Sequence, residues 1–126
     1  MMKRVLVGNS SRPGRALIQA KFCRSFFCQL RGLTFRRSLP EDEGLLLVQR
    51  GDSKIDSSIH MLFVWIPLGV VWINSRNEVV DTRLALPWRP VYVPRQPAKY
   101  VLEIHPSRLV EFCKGDRVSI DEARLV

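Results

Sequence analysis

The sequence predicts a mainly β fold: one compact domain, a β-barrel or jelly-roll-like sandwich with one or two short helices. Three observations lead there. Short runs rich in Val, Ile, Trp and Tyr alternate with clusters of Gly, Pro, Asn and Asp, the punctuation of strands and turns. Two central runs, Ile59–Val64 and Leu68–Ile73, are apolar nearly throughout, as strands covered on both faces are; a sheet with one wet face alternates instead. Finally, 126 residues, 46% of them apolar, suffice to close one hydrophobic core and fall short of two.

The elements follow in order. Residues 1–15 end in a Ser, Gly and Pro-rich stretch, Asn9–Gly14, and read as a basic arm, flexible or added as an edge strand. The β domain proper spans 16–122, with a short tail over 123–126. Leu17–Phe22 reads as a strand. Ser25 is a suitable N-cap for a short helix over Phe26–Arg31, which Gly32 ends. Pro40–Gly44 is a solvated acidic turn before the strand Leu45–Val48, and Gln49–Ser58 is a polar loop. Ile59–Val64, Leu68–Ile73 and Glu78–Thr82 read as strands, the last two joined through the polar turn Asn74–Asn77. Four prolines between Leu86 and Pro97 exclude a central strand there and leave an extended crossing or edge segment. Tyr100–Ile104 is a strand, Ser107 caps a helical turn over Arg108–Cys113, and Lys114–Asp116 turns into a last strand, Arg117–Ile120.

Charge is asymmetric. The net charge is +8, yet no acid precedes Glu41, while nine Lys or Arg do; the remaining 86 residues carry eleven basic and twelve acidic groups. Such a cationic first third attracts polyanions in a salt-sensitive way, without naming one. Cys23, Cys28 and Cys113 form an odd set, which fits reduced, buried thiols and a cytoplasmic protein better than a disulfide-stapled secreted one. The longest uncharged apolar run, Met61–Ile73, has 13 residues and is interrupted by Pro67 and Gly69, too short for a membrane helix.

Several segments, taken together, resemble the domain-of-unknown-function 192 family: Leu30-Arg31-Gly32-Leu33-Thr34-Phe35-Arg36, Leu39-Pro40, Glu43-Gly44-Leu45-Leu46, Ile59-His60-Met61 with Ile66-Pro67-Leu68, Tyr100-Val101-Leu102-Glu103 and Gly115-Asp116-Arg117-Val118. Their order covers about residues 17 to 120. The resemblance implies a compact β-barrel or jelly-roll-like fold and no established activity. Gly69 stands where the family usually carries Asp, and Thr34 where it usually carries Met, so a role held by that Asp is lost or changed, unless the Asp only satisfies backbone donors.

No metal, cofactor or catalytic motif is present: no phosphate-binding glycine loop, no His-Glu-x-x-His pair and no nucleophile turn. The candidate ligand-binding residues are Arg31, Arg36, His60 and Glu103. Arg31 and Arg36 flank a turn and either fork around an anion or pair structurally with Glu103 or the Glu41–Glu43 cluster, the pairing being preferred. His60 either binds a ligand or is satisfied by a backbone carbonyl. Trp65 and Trp72 are expected in the core, and Trp88 and Tyr92, beside Arg89 and Arg95, at the surface. The leading expectation is a non-catalytic binding or accessory domain with a shallow polar site, its partner an anionic ligand or a protein. The alternatives are a hydrolase-like or sugar-acting enzyme using His60 and Glu103, and a binder of nucleic acid or another polyanion through the basic first third.

Overall fold

A computed structural model describes residues 3–34 and 36–122; the tail expected over 123–126 lies outside the described residues. Seven strands form one sheet: β1 Arg4–Asn9, β2 Ile18–Cys23, β3 Glu43–Ser53, β4 Leu68–Ile73, β5 Val79–Ala85, β6 Ala98–Ile104 and β7 Val118–Glu122. The α-helix α1, Phe26–Arg31, lies between β2 and β3, and a 3-10 helix, Pro106–Glu111, follows β6. The spatial order is β5-β4-β6-β3-β2-β1-β7. Only β2 and β3 run parallel, which requires a crossover, and α1 lies within it.

The sheet curls until its two edges meet at one corner. Glu78 and Arg117 form an isolated antiparallel bridge, and the amides of Gly115 and Val118 each donate across the gap at 2.8 Å, to the carbonyls of Val79 and Asn77. No full ladder joins β5 to β7, so the barrel-like curl is not a closed barrel.

Two cores lie on opposite faces of this sheet. One draws on all seven strands, with Val7, Ile18, Leu46, Val71, Val79, Leu102 and Val118 among its members, and fills the curl. Alternate residues of the central strands, Leu45 and Leu47 of β3, Val70 and Trp72 of β4 and Val101 of β6, face the other way. Leu33, Leu39, Ile59, Met61, Val64 and Tyr92 cover this outer face from the connections, and Trp72 Nε1 donates to Ser57 O at 2.7 Å to hold one of them down. Both faces of β4, of β3 over Gly44–Val48 and of β6 over Val101–Ile104 are therefore dry, which is why these runs do not alternate.

Three expectations are corrected. Residues 4–9 are neither an arm nor an edge addition: β1 is an inner strand paired with both β2 and β7. Ile59–Val64 is not a strand but a turn-rich covering segment with a single bridge, Ile59 to Tyr92; it is apolar because it caps the outer core. The cap of the second helix is His105, whose Nδ1 accepts from Ser107 N at 3.1 Å, and the helix begins at Pro106.

Candidate functional site

The site grows from α1 and the turn after it. Ser25 Oγ accepts from Cys28 N at 3.1 Å, and Gly32, at φ +49°, leaves the helix by a left-handed step that disfavours a Cβ. The helix is fastened across β2 and β3. A disulfide joins Cys23 to Cys28, Gln29 Nε2 donates to Val48 O at 2.9 Å, and Gln29 Oε1 accepts from Gln49 Nε2 at 2.9 Å. The bridge corrects the expectation of reduced thiols; five positions apart, the cysteines sit at the end of β2 and in the first turn of α1, with Cα atoms 5.6 Å apart. Cys113 is free.

A cleft of about 410 Å³ opens beside the helix and the 31–36 turn. Leu33, Leu39 and Leu45 give it apolar walls, and Arg4, Lys21, Arg31 and Arg36 give it cationic ones, with Glu43 the only acid among the described lining residues. Arg4 and Lys21 are cross-strand partners of β1 and β2, hence side by side. Neither looked like a site residue in the sequence, because only that register brings them to Arg31 and Arg36. Among the described residues, no ion pair or side-chain hydrogen bond engages any of these four basic groups.

The expected pairing of Arg31 or Arg36 with Glu103 or Glu41–Glu43 is thus not formed. The acidic turn is used elsewhere: Glu41 Oε1 accepts from Ser107 Oγ at 3.0 Å, and Glu41 O accepts from Arg108 Nη1 at 2.7 Å. Arg108, buried, also holds Glu111 through two nitrogens and donates to Ala16 O. It is the guanidinium that needs a carboxylate against desolvation, and its Arg-x-x-Glu spacing in a Pro-initiated helix was the signal available.

Behind the turn lies a second, smaller cavity of about 50 Å³, sharing Arg31, Gly32, Leu33 and Thr34 with the cleft and reaching His60 and Glu103. All four candidate residues therefore border two adjoining spaces. Glu103 sits in the central strand β6 between Leu45 of β3 and Val70 of β4 and is 4% exposed. Burial among these apolar neighbours pushes its carboxyl up to about 7. His60 Nε2 lies 3.2 Å from Leu30 O, so that nitrogen carries the proton and donates. Its other ring nitrogen, Nδ1, and Glu103 Oε1 are both buried without a hydrogen-bond partner among the described residues.

Gly69 bears on none of this. It lies on the opposite face, where a Cβ would come within 3.2 Å of Ile104 Cγ1 and Leu109 Cβ, so an Asp there would need the 3-10 helix to shift. No three His, Cys, Asp or Glu side chains cluster as a metal requires, among the described residues, and no helix among them is long and apolar enough to cross a membrane.

The aromatic expectations hold for two residues and fail for two. Trp72 is fully buried and Trp88 is 44% exposed, but Trp65 is 52% exposed and Tyr92 only 5%. Tyr92 turns inward because its hydroxyl accepts from Leu86 N at 2.9 Å and its backbone pairs with Ile59. Trp65 instead joins Phe63 around Trp88, edge to face, with centroids 5.3 and 5.1 Å from the Trp88 ring. Phe63 and Trp88 both adopt φ above +60°, a conformation that bulky side chains rarely take.

Comparison with known proteins agrees with this architecture. The chain is 36% identical over 113 residues to UPF0127 protein PF1050 of Pyrococcus furiosus, spanning 87% of this chain and 93% of that protein. It is 34% identical over 98 residues to a UPF0127 protein of Thermococcus sibiricus, where the match spans 78% of this chain but 61% of the longer relative. A crystal structure of a protein of unknown function from Novosphingobium aromaticivorans superposes with a TM-score of 0.76 at 25% identity, over 94% of this chain and 84% of that one. The model of the family DUF192, described as Uncharacterized ACR, COG1430, matches residues 9–120, and the chain belongs to that family of unknown function.

Proposed function

We propose that this chain is a non-catalytic binding domain that takes a small anion with an apolar body into the cleft beside Arg31 and Arg36. One observation carries the reading: four basic side chains without ionic partners ring an apolar-walled space of about 410 Å³. Like charges gathered beside apolar surface repel one another, and an anion that bridges them relieves that repulsion while its apolar part covers Leu33, Leu39 and Leu45. The hydrolase alternative is less well supported. His60 and Glu103 face a cavity of about 50 Å³, room for a water molecule or one small group and too little for a sugar ring.

The test is a thermal-shift titration with inorganic phosphate, acetate and benzoate against wild type, Arg31→Ala and Arg36→Ala. Benzoate is expected to stabilise more than acetate, and each substitution to weaken it about 10-fold or more, the usual effect of losing a charged hydrogen bond. Equal shifts in all three proteins would overturn the reading.

A second reading rests on the exposed Phe63, Trp65 and Trp88 surface beside Arg89, which suits stacking against single-stranded nucleic acid. It stands beside the basic first third as a polyanion candidate, where Lys3 and Arg12 pair with Glu122 and Asp116 while Arg4, Lys21, Arg31 and Arg36 line the cleft. A cytoplasmic location is likewise part of the proposal.

A further inference from the structure

The small cavity behind the cleft presents acceptors. His60 Nε2 donates to Leu30 O, so when the ring is neutral Nδ1 is left as an acceptor on a residue that lines the cavity. Glu103 Oε1 is buried at the same cavity, and neither atom has a hydrogen-bond partner among the described residues. The polar groups around them are committed or do not reach. Gln29 Nε2 donates to Val48 O, Ser58 Oγ donates to Lys54 O, and Arg31 makes no ion pair with Glu103. Leaving two such atoms unpaired opposes folding, so the site calls for an occupant that brings hydrogens.

We propose, building on the anion reading above, that the ligand is a small zwitterion: its anionic group lies against Arg31 and Arg36, and its primary ammonium enters the smaller cavity and donates to Glu103 Oε1 and His60 Nδ1. An ammonium carries three hydrogens on one nitrogen, which satisfies both acceptors from a single position, and its charge ionises the Glu103 carboxyl that burial otherwise keeps protonated up to about pH 7. The size fits: about 50 Å³ admits one nitrogen and its hydrogens, while the body of the molecule stays in the cleft of about 410 Å³. Arg31, Gly32, Leu33 and Thr34 border both spaces, so one short molecule touches both groups of residues.

The experiment is calorimetric titration with glycine, β-alanine, γ-aminobutyrate and δ-aminovalerate, each beside the acid that lacks the amine: acetate, propionate, butyrate and valerate. The series varies the distance between the two charges. At one length the amino acid is expected to bind about ten-fold or more tightly than its deaminated partner, as a charge-assisted pair of hydrogen bonds implies. Glu103→Gln should erase that preference while keeping the affinity for the plain acid, because its amide supplies a donor to the cavity itself. His60→Phe tests the second acceptor independently and should reduce the same ratio. Equal binding of amine and acid at every length would overturn the zwitterion and leave the anion reading standing, with water the occupant of the small cavity. A preference that survives both substitutions would also overturn it. Failure of the acids and the amino acids alike would remove the anion reading and the zwitterion with it.

Discussion

At Glu103 the chain holds an acid where its strand neighbours are apolar, and the consequence is a pH dependence of definite sign. The folded state keeps the proton up to about pH 7, whereas an unfolded chain releases it near 4.5, the ordinary value of a glutamate. The contribution to stability is complete below pH 4.5, falls as pH rises through the interval and is lost above about 7. From the width of that interval, Glu103→Gln should gain on wild type by about 3 kcal/mol between pH 4 and pH 8. Denaturant unfolding at the two pH values checks it; a difference that does not change with pH would mean that Glu103 is ionised in the fold. His60 and Glu103 were legible as candidates because each polar residue interrupts an apolar run. Their lack of partners was not legible, since it depends on where the 31–36 turn crosses the sheet.

The elements differ in how locally they are determined. The α1 helix could be read to the residue, because Ser25 and Gly32 fix its ends through contacts within a few positions. Strands β4 and β6 were close to legible for the same reason, being apolar runs between turn residues. Ile59–Val64 misled because burial against the outer core, not pairing, makes it apolar. The fates of Trp65 and Tyr92 were exchanged by contacts between segments about 30 residues apart, beyond any local pattern. The 3-10 helix rests on Arg108, which ties it to Glu41 and Ala16 across most of the chain. Arg108→Ala leaves the half-buried Glu111 without its cation and should destabilise the fold by about 3 kcal/mol, measured by urea unfolding. A loss under 1 kcal/mol would show that the clamp is replaced by solvent.

For the whole molecule, the corner where the sheet edges meet matters most. Asn9 Nδ2 donates to Asp116 Oδ2 at 2.8 Å and to Glu111 O at 2.9 Å, joining the end of β1 to the 3-10 helix and to the turn before β7. That hydrogen bond, helped by Cys113 N–H and the Arg12 charge, outweighs desolvation and keeps the Asp116 carboxyl below its ordinary range. Since β1 is an inner strand with partners on both sides, removing residues 1–9 should abolish cooperative unfolding rather than trim an accessory arm. A truncated chain that melts as sharply as the full one would contradict the sheet order. This curled sheet also brings Arg4 and Lys21 to the helix turn, so the cleft depends on the global fold although Arg31 and Arg36 are set locally.

The most direct measurement of the central claim is a ¹⁵N NMR titration of the full chain with benzoate, following backbone amides and arginine Nε signals. Shifts concentrated at Arg31, Gly32, Thr34 and Arg36 are the result predicted for an anion seated between the helix turn and the sheet. Shifts confined to the surface of Trp65 and Trp88, or none at all, would contradict it.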